Sequence, residues 1–225
     1  MSVSTIRGSL PSILLNADQL YEGNLVHYFQ AVFNHAKNLQ HPYHNFRHMF
    51  HVTWLCHQAC SFYVTTLSRR QMRNLLIAAM FHDIDHSGQV GPDALNIARA
   101  LEALETHTLP EDRLYLADIS ALISATEYPY KVPSETLPLC AQIIRDADLS
   151  QALSVAWIQQ VIFGLAAEWG KQPTEVLKGQ NAFLSNLKFH TKWAQLLYPQ
   201  ASIDEKIAET RELVQLLESP SAQVA

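Results

Sequence analysis

His41-Pro42-Tyr43-His44-Asn45-Phe46-Arg47-His48-Met49-Phe50-His51 opens the stretch that decides the fold, and Phe81-His82-Asp83-Ile84-Asp85-His86-Ser87-Gly88 closes it. Between them runs a long, largely apolar segment with helical spacing. Seven of the chain's eleven histidines lie inside these bounds. Histidine is the commonest metal ligand and moves protons near neutral pH. His44, His48 and His51 fall at i, i+4 and i+7, the spacing of one stripe on a helix. His82 and Asp83 offer a nitrogen and an oxygen side by side, with His86 one turn further on. That donor mix suits borderline divalent metals such as zinc, iron and manganese.

On both sides of this stretch the pattern is helical throughout. Asn45 is expected to cap a helix reaching about Leu67, with Met49, Val52, Leu55 and Cys56 inward. Ser68 precedes a helix over Arg69–Phe81 whose second half, Leu75 to Phe81, is apolar on every side and so should be buried on every side. His82 and Asp83 then emerge from the core and need partners or a metal. Upstream, a short helix should open at Pro11 or Ser12, and a longer one should span Asp18–Asn38 with Leu25, Phe29, Val32 and Phe33 on one face. Downstream, Asp93 is expected to cap a helix over 94–105. Further helices are expected at 110–125, 138–150, 151–169, 174–198 and 202–217, with a proline-marked loop at 129–138. Residues 1–10 should be a loose start and 219–225 should fray.

Composition agrees with this pattern. The chain has 225 residues, 48% hydrophobic and 16% charged, enough to bury a substantial core. Glycines number only 7 and the β-branched runs are short. We therefore expect an all-α fold, one compact multi-helix domain over 1–225. A net charge of -5 speaks against sequence-independent nucleic-acid binding. No membrane partner is expected either, since no uncharged apolar run approaches the roughly 18 residues of a spanning helix. Cys56, Cys60 and Cys140 have no disulfide or thiolate-zinc pattern, and no leader sequence is evident. A cytoplasmic setting follows as the expectation.

Tyr43-His44-Asn45-x-x-His48, then His82-Asp83-x-Asp85-His86-x-Gly88, then Ala147-Asp148-Leu149-Ser150, together resemble the HD-domain metal-dependent phosphohydrolases. Within them the chain is most similar to the catalytic domain of class I 3′,5′-cyclic-nucleotide phosphodiesterases, with the motif core at about 41–199. The resemblance implies two divalent metal ions, from among Zn, Mn, Fe and Mg. His48, His82, Asp83 and Asp148 would ligate one, and Asp83 would also bridge to a second held mainly by water. His44 matches the general acid, His86 a histidine facing the second metal's waters, and Glu168 a glutamate that hydrogen-bonds the acid. Gln180 and Phe183 match a purine clamp, and Tyr43 would help line the substrate site. Thr126-Glu127 stands where the family has Thr-Asp. The segment after Ser150 lacks the family's Asn-Pro, and residues 89–93 lack its asparagine, although Asn96 keeps a plausible spacing.

Several assignments need weighing against plainer ones. Asp146 competes with Asp148 as the distal ligand, and the Ala-Asp-Leu-Ser match favours Asp148. His51 has no family role. His41, His57 and the four tryptophans read as surface or packing residues. The expected activity is hydrolysis of a nucleotide phosphoester, a cyclic nucleotide being favoured. Alternatives are a nucleoside monophosphate phosphohydrolase, an HD-type di-iron oxygenase and a silent nucleotide-binding module, because a shared scaffold does not fix its reaction.

Overall fold

The computed structural model describes residues 11–219, so the expected loose start and all of the expected frayed end except Ser219 lie outside it. The described residues contain no strand, and the fold is all-α. The first half carries α1 (Ser12–Leu15), α2 (Val26–His35), α3 (Phe46–Phe62), α4 (Arg69–Phe81), α5 (Ala94–His107) and α6 (Leu116–Ala125). The second half carries α7 (Leu139–Leu149), α8 (Gly164–Trp169), α9 (Pro173–Asn186), α10 (Lys192–Leu197) and α11 (Gln200–Glu218).

α4 is the centre. Leu75 through Ala79 and Phe81 are wholly buried, and α2, α3, α5, α6 and α7 pack around them. A capping box opens this helix: the Gln71 amide donates to Ser68 Oγ, and the Ser68 amide donates to Gln71 Oε1. Asn45 caps α3 as expected, its Oδ1 accepting from the His48 amide at 3.2 Å. A second, smaller apolar cluster joins Trp157, Val161, Ile162, Ala166, Val176 and Leu177, with Tyr43 against it. It holds the later helices beside the start of α3.

Several boundaries differ from the expectation. The helix expected over Asp18–Asn38 is confined to Val26–His35. Asn16 folds the preceding segment instead: its Nδ2 donates to the carbonyls of Tyr21 and Gly23, and its Oδ1 accepts from the Tyr21 amide. Such local side-chain bonds compete with a helix, and left-handed Asn16, Gln19 and Gly23 complete the turn. Phe33, expected on one face with Leu25, Phe29 and Val32, is 55% exposed and stacks on Phe29. The stretch expected as one helix over 174–198 breaks between α9 and α10. There the buried Asp146 carboxylate accepts from the His190 and Thr191 amides, and Thr191 caps α10. Residues expected as one helix over 151–169 form a 3₁₀ turn (Ser150–Leu153), a π-helical turn (Ile158–Phe163) and α8. The 110–125 helix likewise begins as a 3₁₀ turn over Pro110–Tyr115. Asp93 stands at the start of α5 but makes no cap; its carboxylate accepts from Asn96 Nδ2 and from the Tyr128 amide. No single described helix is long and apolar enough to cross a membrane.

Candidate functional site

Three segments far apart in sequence bring the metal-ligand candidates together. His48 sits in the first turn of α3, His82 and Asp83 at the end of α4, and Asp148 near the end of α7. His48 Nε2 lies 3.1 Å from Asp83 Oδ2 and 3.0 Å from Asp148 Oδ1. His82 Nε2 lies 3.4 Å from the same Asp83 oxygen and 3.7 Å from the same Asp148 oxygen. The two Nε2 atoms approach to 3.3 Å.

The other ring nitrogens are already engaged. His82 Nδ1 donates to the Ala79 carbonyl at 2.8 Å, and His48 Nδ1 donates to Gln151 Oε1 at 2.5 Å. Each neutral ring so held turns its Nε2 lone pair inward. Two lone pairs at 3.3 Å beside two carboxylates repel one another unless a positive charge lies among them, so the donor set fits a divalent cation. Burial opposes charge on both rings, but the Asp83 and Asp148 carboxylates outweigh it and raise both histidines. Burial alone would also lift the two carboxyls, yet the rings hold both below their ordinary value. A proton and a cation therefore compete for the same corner, and binding the cation expels the proton.

His44 lies outside this corner and outside the helix, since α3 starts at Phe46. The single stripe of His44, His48 and His51 does not form. His51 packs near Trp54 instead, with ring centroids 6.3 Å apart. The His44 ring donates from Nδ1 to Glu168 Oε2 at 2.6 Å. Glu168 Oε1 accepts from the Tyr43 and His44 amides at 2.8 and 2.7 Å. Burial raises the Glu168 carboxyl, but the His44 ring and these amides prevail and hold it below its usual value. His86 stacks on His44 with centroids 3.6 Å apart. Its Nδ1 faces the Gly88 amide, and its Nε2 faces Asn96 Nδ2. Burial, with the His44 ring second, lowers His86 to about 4.

The described residues contain two groups with donor atoms close enough to hold a metal: His48, His82 and Asp148, and His44, His86 and Glu168. The second is largely satisfied within itself, because Glu168 spends both oxygens on three N–H donors. The first is the better cation site.

A cavity of about 500 Å³ opens here, within the roughly 300–1,000 Å³ range of small-molecule sites. Tyr43, His44, His48, Asp83, His86 and Asp148 line it, and so do Gln180 and Phe183 from α9. Gln180 is buried, and its Nε2 has no hydrogen-bond partner. Trp169, expected as packing, also lines the cavity, as do Thr126 and Asn96. Glu127 does not; it pairs with Lys131. Asp146 is spent on the start of α10 and stays out of the corner.

Residues 43–101 match the 3′5′-cyclic nucleotide phosphodiesterase family. The resemblance read from the motifs is thus shown over about a quarter of the chain, the part that carries His44, His48, His82, Asp83 and His86. That family is metal-dependent, in keeping with the His and Asp corner. No curated protein matches the chain.

Sequence reasoning missed two supports of this site. Asn38 donates from Nδ2 to the carbonyls of His44 and Asp83, at 2.7 Å each, and its Oδ1 accepts from the Asp85 amide. Gln151 holds His48. Neither stands in a pattern that announces it.

Proposed function

We propose that this protein is a metal-dependent hydrolase that cleaves a phosphoester of a nucleotide, with a 3′,5′-cyclic nucleotide the favoured substrate. The observation that carries the reading is the convergence of two inward Nε2 atoms and two carboxylates on the wall of a cavity that Gln180 also lines. The match over residues 43–101 supports the same class of chemistry.

In this reading His48, His82, Asp83 and Asp148 would hold one divalent ion, and Asp83, which lines the cavity, would also serve a second. Divalent metals at such a site supply Lewis-acid activation of a phosphoester and of water. The chain's own residues do the rest. His44, anchored through Nδ1 by Glu168, is left with Nε2 to give a proton to the departing oxygen. His86 braces that ring by stacking. Gln180 offers an unpaired buried amide to the edge of a base, and a ligand acceptor there relieves a penalty of about 1–3 kcal/mol. Phe183, one helical turn away, and Tyr43 supply aromatic surface.

The test is a substrate panel after removal of metal with a chelator. Re-addition of Mn²⁺, Mg²⁺, Zn²⁺ or Fe²⁺ should restore hydrolysis of cyclic AMP or cyclic GMP. Preference for nucleoside monophosphates would replace the diester by a monoester, and oxygen uptake with reduced iron would replace hydrolysis by oxidation. Nucleotide binding without turnover at every metal would end the enzymatic reading. Gln180→Ala should raise KM for purine nucleotides more than for an aryl phosphodiester; equal effects would remove Gln180 from base recognition.

A further inference from the structure

His48 Nδ1, Gln151 and Gln160 form a chain of buried and half-buried polar groups. His48 Nδ1 meets Gln151 Oε1 at 2.5 Å, and Gln151 Nε2 meets Gln160 Oε1 at 2.7 Å. His48 and Gln151 are both almost wholly buried. Gln151 lies in the 3₁₀ turn directly after α7, two residues beyond Leu149. Gln160 lies in the π-helical turn, next to Val161, which lines the cavity. π-helical turns are rare and frequent at functional sites.

An amide has a sense: one end accepts and the other donates. Because Gln160 turns its oxygen to Gln151, Gln151 must turn its own oxygen to His48. The ring proton then sits on Nδ1, and Nε2 presents a lone pair to the corner formed with His82, Asp83 and Asp148. If Gln160 presented its NH₂ instead, Gln151 would have to turn over and donate to Nδ1. The ring proton would move to Nε2, where it blocks a cation. Two coupled amide orientations thus correspond to a ring open to metal and a ring closed to it.

We propose that Gln151 and Gln160 are positioning residues that set the tautomer of His48, and through it the metal affinity. The proposal rests on the reading of His48 as a metal ligand. Outer partners of ligating histidines typically change metal affinity by roughly 10–100-fold, and Gln151 stands in that relation to His48.

The experiment is titration of chelator-stripped protein with Zn²⁺ and with Mn²⁺ against a competing dye. The proteins are wild type, Q151L, Q160L, Q151E, Q151L/Q160L and Q151E/Q160L, each checked for helical content by circular dichroism. Q151L should weaken binding about 10–100-fold, and Q160L should weaken it by a smaller factor. Q151L/Q160L should bind no more weakly than Q151L, since Gln160 acts only through Gln151. Q151E keeps an acceptor for Nδ1 and should restore binding to wild-type strength or better, and adding Q160L to it should change nothing. If Q151L does not fold, Q160L and the Q151E pair decide the matter. Unchanged affinity in Q160L, or independent multiplication of the two losses, overturns the relay. Wild-type protein that binds no metal overturns the metal reading itself, a result distinct from metal-binding protein indifferent to both glutamines.

Discussion

Glu168 and the ring of His44 meet at 2.6 Å although 124 residues separate them. The approach depends on Gly164, whose added Cβ would stand 3.0 Å from the Pro42 carbonyl and 3.2 Å from Tyr43 Cβ. α8 can therefore lie close against the turn before α3, and one carboxylate holds both the ring and the backbone of His44. Glu168→Gln keeps the size but removes the charge opposite the ring. We expect kcat to fall about tenfold to a hundredfold, short of the roughly 10²–10⁴-fold typical of losing a general acid, the role proposed for His44. Metal content should not change. Steady-state kinetics with elemental analysis check this, and a wild-type kcat in Glu168→Gln would sever the carboxylate from catalysis.

Asp83 touches both histidines of the corner, so its removal should be felt first as lost metal. Asp83→Ala leaves two neighbouring rings with one carboxylate between them. Metal at a hundred times its Kd should stabilise wild-type protein by roughly 2.7 kcal/mol, seen as a higher melting temperature. Asp83→Ala should lose most of that shift and its bound metal. Full metal occupancy in the variant would remove Asp83 from the ligand set.

The fold was legible where one physical signal dominated. α4 is apolar on all sides, and its burial follows from that alone. Asn45 could be named as a cap because its side chain can accept from a free amide in the first turn. The misreadings fall where a side chain or a tertiary contact overrode local preference. Asn16 took backbone groups that a longer α2 would have used, Asp146 stopped α9 from running into α10, and Asp93 spent its carboxylate on Tyr128. Motif order was enough to bring His44, His48, His82, Asp83 and Asp148 into consideration. Helical spacing misled for His44, which lies in a turn before α3 and does not share a stripe with His48. Asn38 and Gln151 act through side-chain hydrogen bonds to residues outside their own turns, and no spacing rule encodes such bonds.

Asn38 ties the two halves of the motif by bonding to the backbone of His44, Asp83 and Asp85. Asn38→Ala leaves two part-buried carbonyls and one amide without that partner, each worth up to about 1–3 kcal/mol if water does not replace it. We expect a lower melting temperature together with weaker metal binding and lower kcat, because the His44 turn and the Asp83 turn would drift relative to each other. Asn38→Asp should be worse, since it sets an acceptor against two carbonyl oxygens. Thermal melts and metal titration on both variants test this. A variant that loses stability with metal affinity and kcat intact would show Asn38 to be a fastening of the fold alone.

Asp112 carries a larger structural load and makes the stability depend on pH. Its Oδ1 accepts from Arg70 and from Arg73 Nε, and its Oδ2 accepts from Arg73 and from the Tyr28 hydroxyl. Burial raises this carboxyl, but Arg73 and Tyr28 prevail and hold it below its ordinary value of 3.8. The unfolded chain therefore binds that proton more readily than the folded one. The stabilisation is complete above about pH 4 and drains away as pH falls through the folded value. Asp112→Ala, which strands a buried arginine, should cost about 3–5 kcal/mol at neutral pH. Asp112→Asn should narrow the wild type's advantage as pH drops from 5 to 3, because the asparagine has no carboxyl to protonate. Urea unfolding across that range measures the gap between the two proteins. A gap that stays constant to pH 3 would mean that the acid limb of stability belongs to other carboxylates.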